Sequence, residues 1–219
     1  MPHKEPFVFN TERRLVELCG IKATNLKSLA QALYQVPGSS IFYHTHHLYL
    51  EHHFEKPVFY NQFALWVHDA LQEEALAEGL GTIDLLAFTS IRQLRKAIVD
   101  KIEPYLSASD RPSRECPPWD EFHFCKSKSF IMSTGIVAKD VPDFVQKLPS
   151  VTNSSLYFHF FEARLRLERP TNDFSLWLLG RGEEGLAIAI DQLNPYSMTL
   201  DELKRDIVDL CAQLHSRLT

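Results

Sequence analysis

The segment SSIFYH, residues 39–44, recurs as SSLYFH at residues 154–159, and this recurrence decides how the chain is organised. The same offset of 115 positions aligns residues 7–50 with residues 122–165 without a gap. The aligned stretches are identical at 12 of 44 positions. Because self-similarity at a fixed offset is the sequence signature of a repeated structural unit, we predict a tandem duplication.

The match resumes after a short insertion in the first copy. NQFALWV at residues 61–67 aligns with NDFSLWL at residues 172–178, and SIRQLRKAIVDKI aligns with TLDELKRDIVDLC. The motifs keep their order, which places one repeat unit of about 100 residues at 6–106 and a second at 121–218. Residues 107–120, SASDRPSRECPPWD, lie between them, and their prolines and serines are typical of a linker.

Each repeat unit combines a short β segment with about four helices. The run SKSFIMSTGIVA is rich in β-branched and aromatic residues, which favours a strand. Apolar residues then recur at helical spacing, and four of these helices follow residues typical of N-caps: Asn25, Asn61, Asp140 and Asn172. The pairs Ser90 with Gln93 and Thr199 with Glu202 predict capping boxes. We predict an α+β, predominantly α-helical fold whose two copies share one core with pseudo-two-fold symmetry.

Composition indicates a globular protein and argues against several classes of function. The 219 residues are 45% hydrophobic and carry a net charge of −5, with no basic tract for nucleic-acid binding. No apolar run approaches the ~20 residues that span a bilayer, and the N-terminus lacks a signal-peptide pattern. We expect a cytoplasmic protein without nucleic-acid or membrane partners. The spacing of the four cysteines fits no zinc module, which indicates free thiols.

Polar residues of the recurring segment line one face of a predicted helix that is otherwise apolar nearly all round. In the first copy this face carries Ser40, His44, His47 and Glu51. In the second copy, at the same spacing, it carries Ser155, His159, Glu162 and Arg166. Such a helix is usually central, and we expect its polar face to meet the other half of the protein. His46, His52 and His53 lie off this face and are expected to be exposed.

Three interpretations of this polar face stay open. The side chains of His44, His47, His159 and Glu162 supply imidazole and carboxylate ligands for a mononuclear Zn, Fe or Mn site. The same four residues are catalytic candidates, with His159 beside Glu162 acting as a general base. The structural interpretation pairs the two polar faces, carboxylates against histidines and Arg166, as a buried lock between the halves.

Aromatic and capping residues extend the list of candidate ligand contacts. Trp66 and Trp177 recur in both copies, as core residues or as a stacking platform for a flat ligand. Asn172 and Asp173 begin the helix beside Trp177, where they serve as cap residues or line a pocket. The ligand-binding candidates are Ser40, Ser155, Glu51, Arg166, Asn172, Asp173, Trp66 and Trp177.

The segments SSLYFHFFEARLRLERPTNDFSLWL and FIMSTGIVAKDV resemble those of an uncharacterised bacterial and archaeal family of internally duplicated proteins of about this length. The resemblance covers nearly the whole chain and implies a soluble prokaryotic protein, with no activity, cofactor or catalytic residue attached. The first copy departs from the pattern, because His47 stands where the second copy has Glu162.

These observations lead to one functional prediction and two alternatives. We predict a cytosolic binding or regulatory protein that acts with a partner protein or a small ligand at the junction of its two halves. The first alternative is an enzyme with a His/Glu acid–base or mononuclear metal site on the paired central helices. The second is a structural assembly module, such as a homo-oligomer.

Overall fold

The computed structural model describes residues 5–51, 58–108 and 114–215, without the side chains of residues 49–51, 166, 167, 196, 214 and 215. Strand β1 (Phe7–Ala23) is followed by α1 (Leu26–Gln35), α2 (Gly38–Glu51), α3 (Gln62–Asp69), α4 (Glu74–Gly81) and α5 (Ile91–Ala108). Strand β2 (Phe122–Ala138) is followed by α6 (Val141–Lys147), α7 (Asn153–Tyr157), α8 (Ala163–Leu167), α9 (Asp173–Leu179), α10 (Glu184–Asp191) and α11 (Leu200–His215). The prediction of an α+β, predominantly helical fold is confirmed. None of the described helices is long and apolar enough to cross a membrane.

The two strands pair with each other in a two-stranded sheet. Glu17 Oε2 lies 3.3 Å from Lys126 Nζ, and Lys22 Nζ lies 2.7 Å from Glu121 Oε1. From the first contact to the second, the residue number rises along β1 and falls along β2, so the strands are antiparallel. Each strand has 17 residues and begins at its F-x-F motif, so both strands are longer than the short segments predicted from sequence.

The chain divides into two compact units, and each unit contains a piece of both strands. The C-terminal unit comprises residues 5–13 and 129–215, whereas the N-terminal unit comprises residues 14–51, 58–108 and 114–128. In the C-terminal unit, the start of β1 therefore packs with the helices that follow β2. In the N-terminal unit, the start of β2 packs with the helices that follow β1.

Aromatic rings join strand to helices in the core of the C-terminal unit. Phe9 stacks on Phe144 of α6 with ring centroids 5.4 Å apart, and Phe7 lies 5.4 Å from Phe174 of α9. Phe9, Phe144 and Phe174 are fully buried. Buried phenylalanines contribute large apolar areas, so these rings hold the strand on the helices.

The N-terminal unit has a corresponding aromatic core. Phe122 and Phe124, at the start of β2, lie 5.3 and 6.2 Å from the ring of Phe63 on α3. Trp66, one turn further along α3, meets Phe122 edge to face at 5.6 Å. The F-x-F motif of each strand thus supplies the two rings that anchor it.

Capping interactions explain where most of these helices begin. The predicted N-caps each accept a hydrogen bond from the backbone N–H three residues on, at Asn25, Asn61, Asp140 and Asn172. The capping box at α11 also forms, with Thr199 N–H donating to Glu202 Oε2 at 2.7 Å and Glu202 N–H donating to Thr199 Oγ1 at 3.2 Å. At α5 the pattern differs, because Ser90 Oγ accepts from the N–H of Arg92, not Gln93.

Helices α4 and α10 were not predicted from the sequence. The segment GRGEEG, residues 180–185, reads as a solvated loop, yet α10 begins within it at Glu184. Both helices have only eight residues, and glycine lowers their helix propensity by about 1 kcal/mol per residue. Packing against α3 and α9, respectively, overrides this weak local preference.

The substitution Phe9→Ala tests the aromatic anchoring of β1. We expect it to lower the free energy of unfolding by about 3–5 kcal/mol, because it leaves a cavity between Phe144 and Phe174. Phe130→Ala, at a position in β2 that is 49% exposed, is the matched control and is expected to cost less than about 1 kcal/mol. Urea unfolding followed by circular dichroism measures both, and equal losses for the two variants would contradict the anchoring role.

Candidate functional site

His159 connects strand to helices within the C-terminal unit. Its Nε2 accepts a hydrogen bond of 2.8 Å from the backbone N–H of Asn10 on β1. Its Nδ1 lies 2.7 Å from Oδ2 of Asp173, the first residue of α9. Ser155 Oγ donates to the carbonyl oxygen of Asn10 at 2.5 Å. One helical segment therefore holds both backbone polar groups of a single strand residue.

His44 has the same role within the N-terminal unit. The backbone N–H of Cys125 on β2 donates to His44 Nε2 at 2.9 Å. His44 Nδ1 lies 2.5 Å from Oε1 of Gln62, the first residue of α3. Ser40, which aligns with Ser155, is fully buried. An amide here stands in the place that a carboxylate occupies beside His159.

These hydrogen bonds determine the tautomer of both imidazoles. A backbone N–H can only donate, so Nε2 of His44 and of His159 must carry the lone pair and Nδ1 the proton. A general base needs a ring nitrogen whose lone pair is available to a substrate. In this geometry neither imidazole offers such a nitrogen, to a substrate or to a metal ion. No group of three or more His, Cys, Asp or Glu side chains within the described residues is arranged to hold a metal.

The predicted polar face is not continuous in the second copy. Residues Phe158–Glu162 form a π-helical turn between α7 and α8. A π turn adds a residue to the helical turn and shifts the faces of the helix that follows. The expected α-helical spacing of Ser155, His159 and Glu162 was therefore wrong from this turn onward, although Glu162 is buried, with 9% exposure. The side chains of Glu51 and Arg166 lie outside the described residues.

His46 is buried, in contrast to the prediction that it is exposed. It is 4% exposed and stacks on Phe42 with ring centroids 4.7 Å apart. The guanidinium of Arg14 lies 5.1 Å from the ring centroid of Phe42. His47 is half-buried and stacks on Tyr43 at 4.7 Å. His52 and His53 lie outside the described residues.

Burial keeps two histidines of the N-terminal unit neutral. It lowers the pKa of His44 to about 4, aided by the charge of His47 and opposed by the hydrogen bond to Gln62. It lowers the pKa of His46 to about 3, aided by the charge of Arg14. Protonating Nε2 of His44 would also break the bond from the backbone N–H.

The tryptophans are hydrogen-bonded to the segments that precede the strands. Trp177 Nε1–H donates to the carbonyl oxygen of Glu5 at 3.0 Å, and Trp66 Nε1–H donates to that of Asp120 at 2.6 Å. Asn172 is a buried cap whose Nδ2 also donates to Asp191 Oδ1 at 2.6 Å. The side chains of Asn172, Asp173, Trp177 and His159 thus lie in one unit.

A groove of about 610 Å³ opens beside His159 in the C-terminal unit. Its lining is largely apolar and includes Phe7, Val8, Leu176, Trp177 and Leu179. Its charged lining residues are Glu5, Arg169 and Asp173. This volume falls within the range of ligand-binding clefts, about 300–1,000 Å³.

The N-terminal unit has a smaller groove of about 430 Å³ beside Gln62. Its apolar lining includes Leu48, Leu65, Trp66, Trp119 and Phe122. Its polar lining is acidic and comprises Asp69, Asp120 and Glu121 in addition to Gln62. The two grooves therefore share a tryptophan beside the start of a strand but differ in charge.

Sequence reasoning missed the residues that complete both sites. Asn10 and Cys125 act through their backbone N–H groups, which no side-chain pattern reveals. Gln62 was missed because its amide side chain cannot ionise, whereas Asp173, which aligns with it, is a carboxylate and was chosen as a candidate. The aligned pair was the available signal, since both residues directly follow a cap asparagine.

These features define an α+β, mainly helical protein in which a buried histidine holds each strand. A family model described as a family of unknown function (DUF5752) matches residues 4–212, and the chain belongs to this family. This confirms the resemblance to an uncharacterised family. The chain is similar to the solved structure of OrfY from Thermoproteus tenax, with 26% identity, 97% of each chain covered and a TM-score of 0.81. No curated protein matches the chain.

Acidification is expected to destabilise the protein through His44 and His46. Both have a pKa below the ordinary value of 6.5 in the folded state, so the unfolded chain binds their protons more tightly. Their stabilising contribution is complete above pH 6.5 and falls by about 1.4 kcal/mol per pH unit for each histidine on acidification. The fall ends near pH 4 for His44 and near pH 3 for His46.

The variant His46→Leu isolates one of these two contributions. Urea unfolding at a series of pH values gives the slope of the unfolding free energy against pH. Between pH 6 and 4.5 this slope should be smaller than in the wild type, by the amount that corresponds to about one proton. His123→Gln, at an exposed position, is the control and should keep the wild-type slope. An unchanged slope in His46→Leu would show that His46 is protonated in the folded protein.

Proposed function

We propose that the protein is a binding module, and that the groove of the C-terminal unit binds an apolar segment of a partner protein. One observation carries the proposal. Leu176 and Leu179 lie one turn apart on α9, line the groove and are 36% and 43% exposed. A partner that covers these side chains removes apolar surface from water, which is the dominant favourable term in association.

The lining also indicates the chemistry of the partner segment. Val8, 38% exposed, extends the apolar surface from α9 onto β1. Arg169 supplies a cation at the same groove, while Asp173 is engaged with His159. The occupant that fits is an amphipathic helix with leucine-type residues on one face and a carboxylate that meets Arg169.

His159 has a positioning role in this proposal. Its two ring nitrogens connect β1 to α9, and both elements contribute residues to the groove wall. Loss of either bond is expected to shift β1 relative to α9 and so to change the groove wall. The imidazole thus contributes to the shape of the groove, and this use of both nitrogens favours binding over acid–base chemistry.

We also propose that the chain arose by duplication of one ancestral segment, with repeats at 6–106 and 121–218 joined by 107–120. The offset of 115 that aligns the sequences also relates Asn10 to Cys125 and His159 to His44. Hydrogen bonds between the same atoms of these pairs support the duplication. Divergence of the groove linings supports different ligands for the two copies.

A synthetic peptide tests the proposed groove. The peptide has about 14 residues, roughly four helical turns, with leucines at helical spacing on one face and glutamates on the other. We expect saturable binding, measured by fluorescence anisotropy of a labelled peptide. The double variant Leu176→Gln/Leu179→Gln should weaken binding at least tenfold, about 1.4 kcal/mol, because it makes the groove wall polar.

Two controls distinguish binding at the groove from nonspecific apolar binding. Ile188→Gln, on α10 at a position 55% exposed and outside the groove lining, should leave binding unchanged. A second peptide with glutamine in place of leucine should not bind. Equal loss in Ile188→Gln and in the double variant, or unaltered binding in the double variant, would overturn the proposal.

A further inference from the structure

We propose that the groove of the N-terminal unit is a separate site for an organic cation, namely a guanidinium or ammonium group on an apolar stem. The lining of this groove combines indole rings with carboxylates, and among its described residues there is no Lys, Arg or His. Carboxylates provide charge and aromatic faces provide a second attraction for cations. The proposal does not depend on the function proposed for the C-terminal unit.

One side chain of the groove lining is a highly exposed indole. Trp119 is 81% exposed, whereas Trp66, which lines the same groove, is 9% exposed. A tryptophan that is almost entirely in water offers both ring faces to a ligand. Because cation–π attraction is strongest for tryptophan among the aromatic side chains, Trp119 is suited to close over a bound cation.

The loop that carries Trp119 is held in place before any ligand binds. The N–H of Cys116 donates to the carbonyl oxygen of Thr24 at 2.7 Å, and the N–H of Asp120 donates to that of Pro117 at 2.9 Å. The carbonyl oxygen of Asp120 accepts from Trp66 Nε1–H. Two consecutive prolines, 117 and 118, further restrict the backbone. Such preorganisation reduces the entropy lost on binding.

The carboxylates at the groove are not all neutralised within the protein. Glu121 forms an ion pair of 2.7 Å with Lys22. The side chain of Asp69 is 61% exposed and has His68 beside it at 2.6 Å. Asp120 is exposed at the end of the anchored loop. Asp69 and Asp120 therefore provide the charge that a cationic ligand meets.

The corresponding groove of the C-terminal unit has a less acidic lining. The alignment of the two copies places Gly180 at the position of Asp69 and Pro6 at the position of Glu121, and Arg169 is part of that lining. The C-terminal groove thus has two carboxylates, Glu5 and Asp173, and one cation, Arg169, and is less acidic than the N-terminal groove with its three carboxylates. This difference predicts that a cation selects the N-terminal groove.

A pair of matched probes tests the inference. N-acetyl-arginine amide carries the cation, and N-acetyl-citrulline amide has nearly the same shape without the charge. We expect the indole N–H signal of Trp119, observed by nuclear magnetic resonance, to shift saturably with the arginine probe. The citrulline probe should bind at least tenfold more weakly, and added salt should weaken arginine binding.

Variants on the protein complete the test. Asp69→Asn/Asp120→Asn should weaken arginine binding at least tenfold, and Trp119→Ala should weaken it when binding is followed by calorimetry. All three positions are exposed, so we expect these variants to keep the fold. Leu176→Gln/Leu179→Gln, in the other groove, should leave arginine binding unchanged, which separates this proposal from the one for the C-terminal unit.

Two further probes distinguish the source of the cation. The pentapeptide Gly-Ala-Arg-Ala-Gly should bind more tightly than agmatine if the natural ligand is an arginine in a protein chain. The reverse order would indicate a free small amine, and both results support the cation site. Equal binding of the arginine and citrulline probes, or arginine binding unaffected by the double aspartate variant, would overturn it.

Discussion

The hydrogen bond from a strand N–H to the Nε2 of a buried histidine is the interaction on which each unit depends. In the C-terminal unit it runs from Asn10 to His159, and in the N-terminal unit from Cys125 to His44. The same imidazole then reaches the first residue of the helix that carries the groove tryptophan. A buried backbone N–H without an acceptor costs about 1–3 kcal/mol, so the imidazole both satisfies the strand and fixes the adjoining helix.

This arrangement explains why histidine occupies the position. The site needs an acceptor toward the strand and a donor toward the next helix, and a neutral imidazole supplies one of each on opposite sides of a rigid ring. The Nδ1–H tautomer is imposed by the backbone donor. The groove walls follow from the same bonds, because they bring the start of a strand against α9 in one unit and against α3 in the other.

Much of the local structure was predictable from the sequence. Cap residues located the starts of four helices, and Thr199 with Glu202 formed the box that their spacing predicts. Short-range hydrogen bonds of this kind depend only on nearby residues. The prediction that His46 is exposed was wrong, although the alignment pairs it with an apolar residue, Phe161. Both residues stack on the aromatic residue four positions earlier in the chain.

The sequence by itself determined the fold class and the helix caps, because these depend on periodicity and short-range chemistry, and it singled out His44, His159, Trp66 and Trp177 by their recurrence. Only the tertiary structure decided which groups those side chains meet. The partner of His159 lies 149 residues away, and that of His44 lies 81 residues away. Both partners are backbone amides, which are the same at every residue other than proline. The chain fold therefore brought each histidine to a strand amide, a contact that the polar face read from the sequence does not predict.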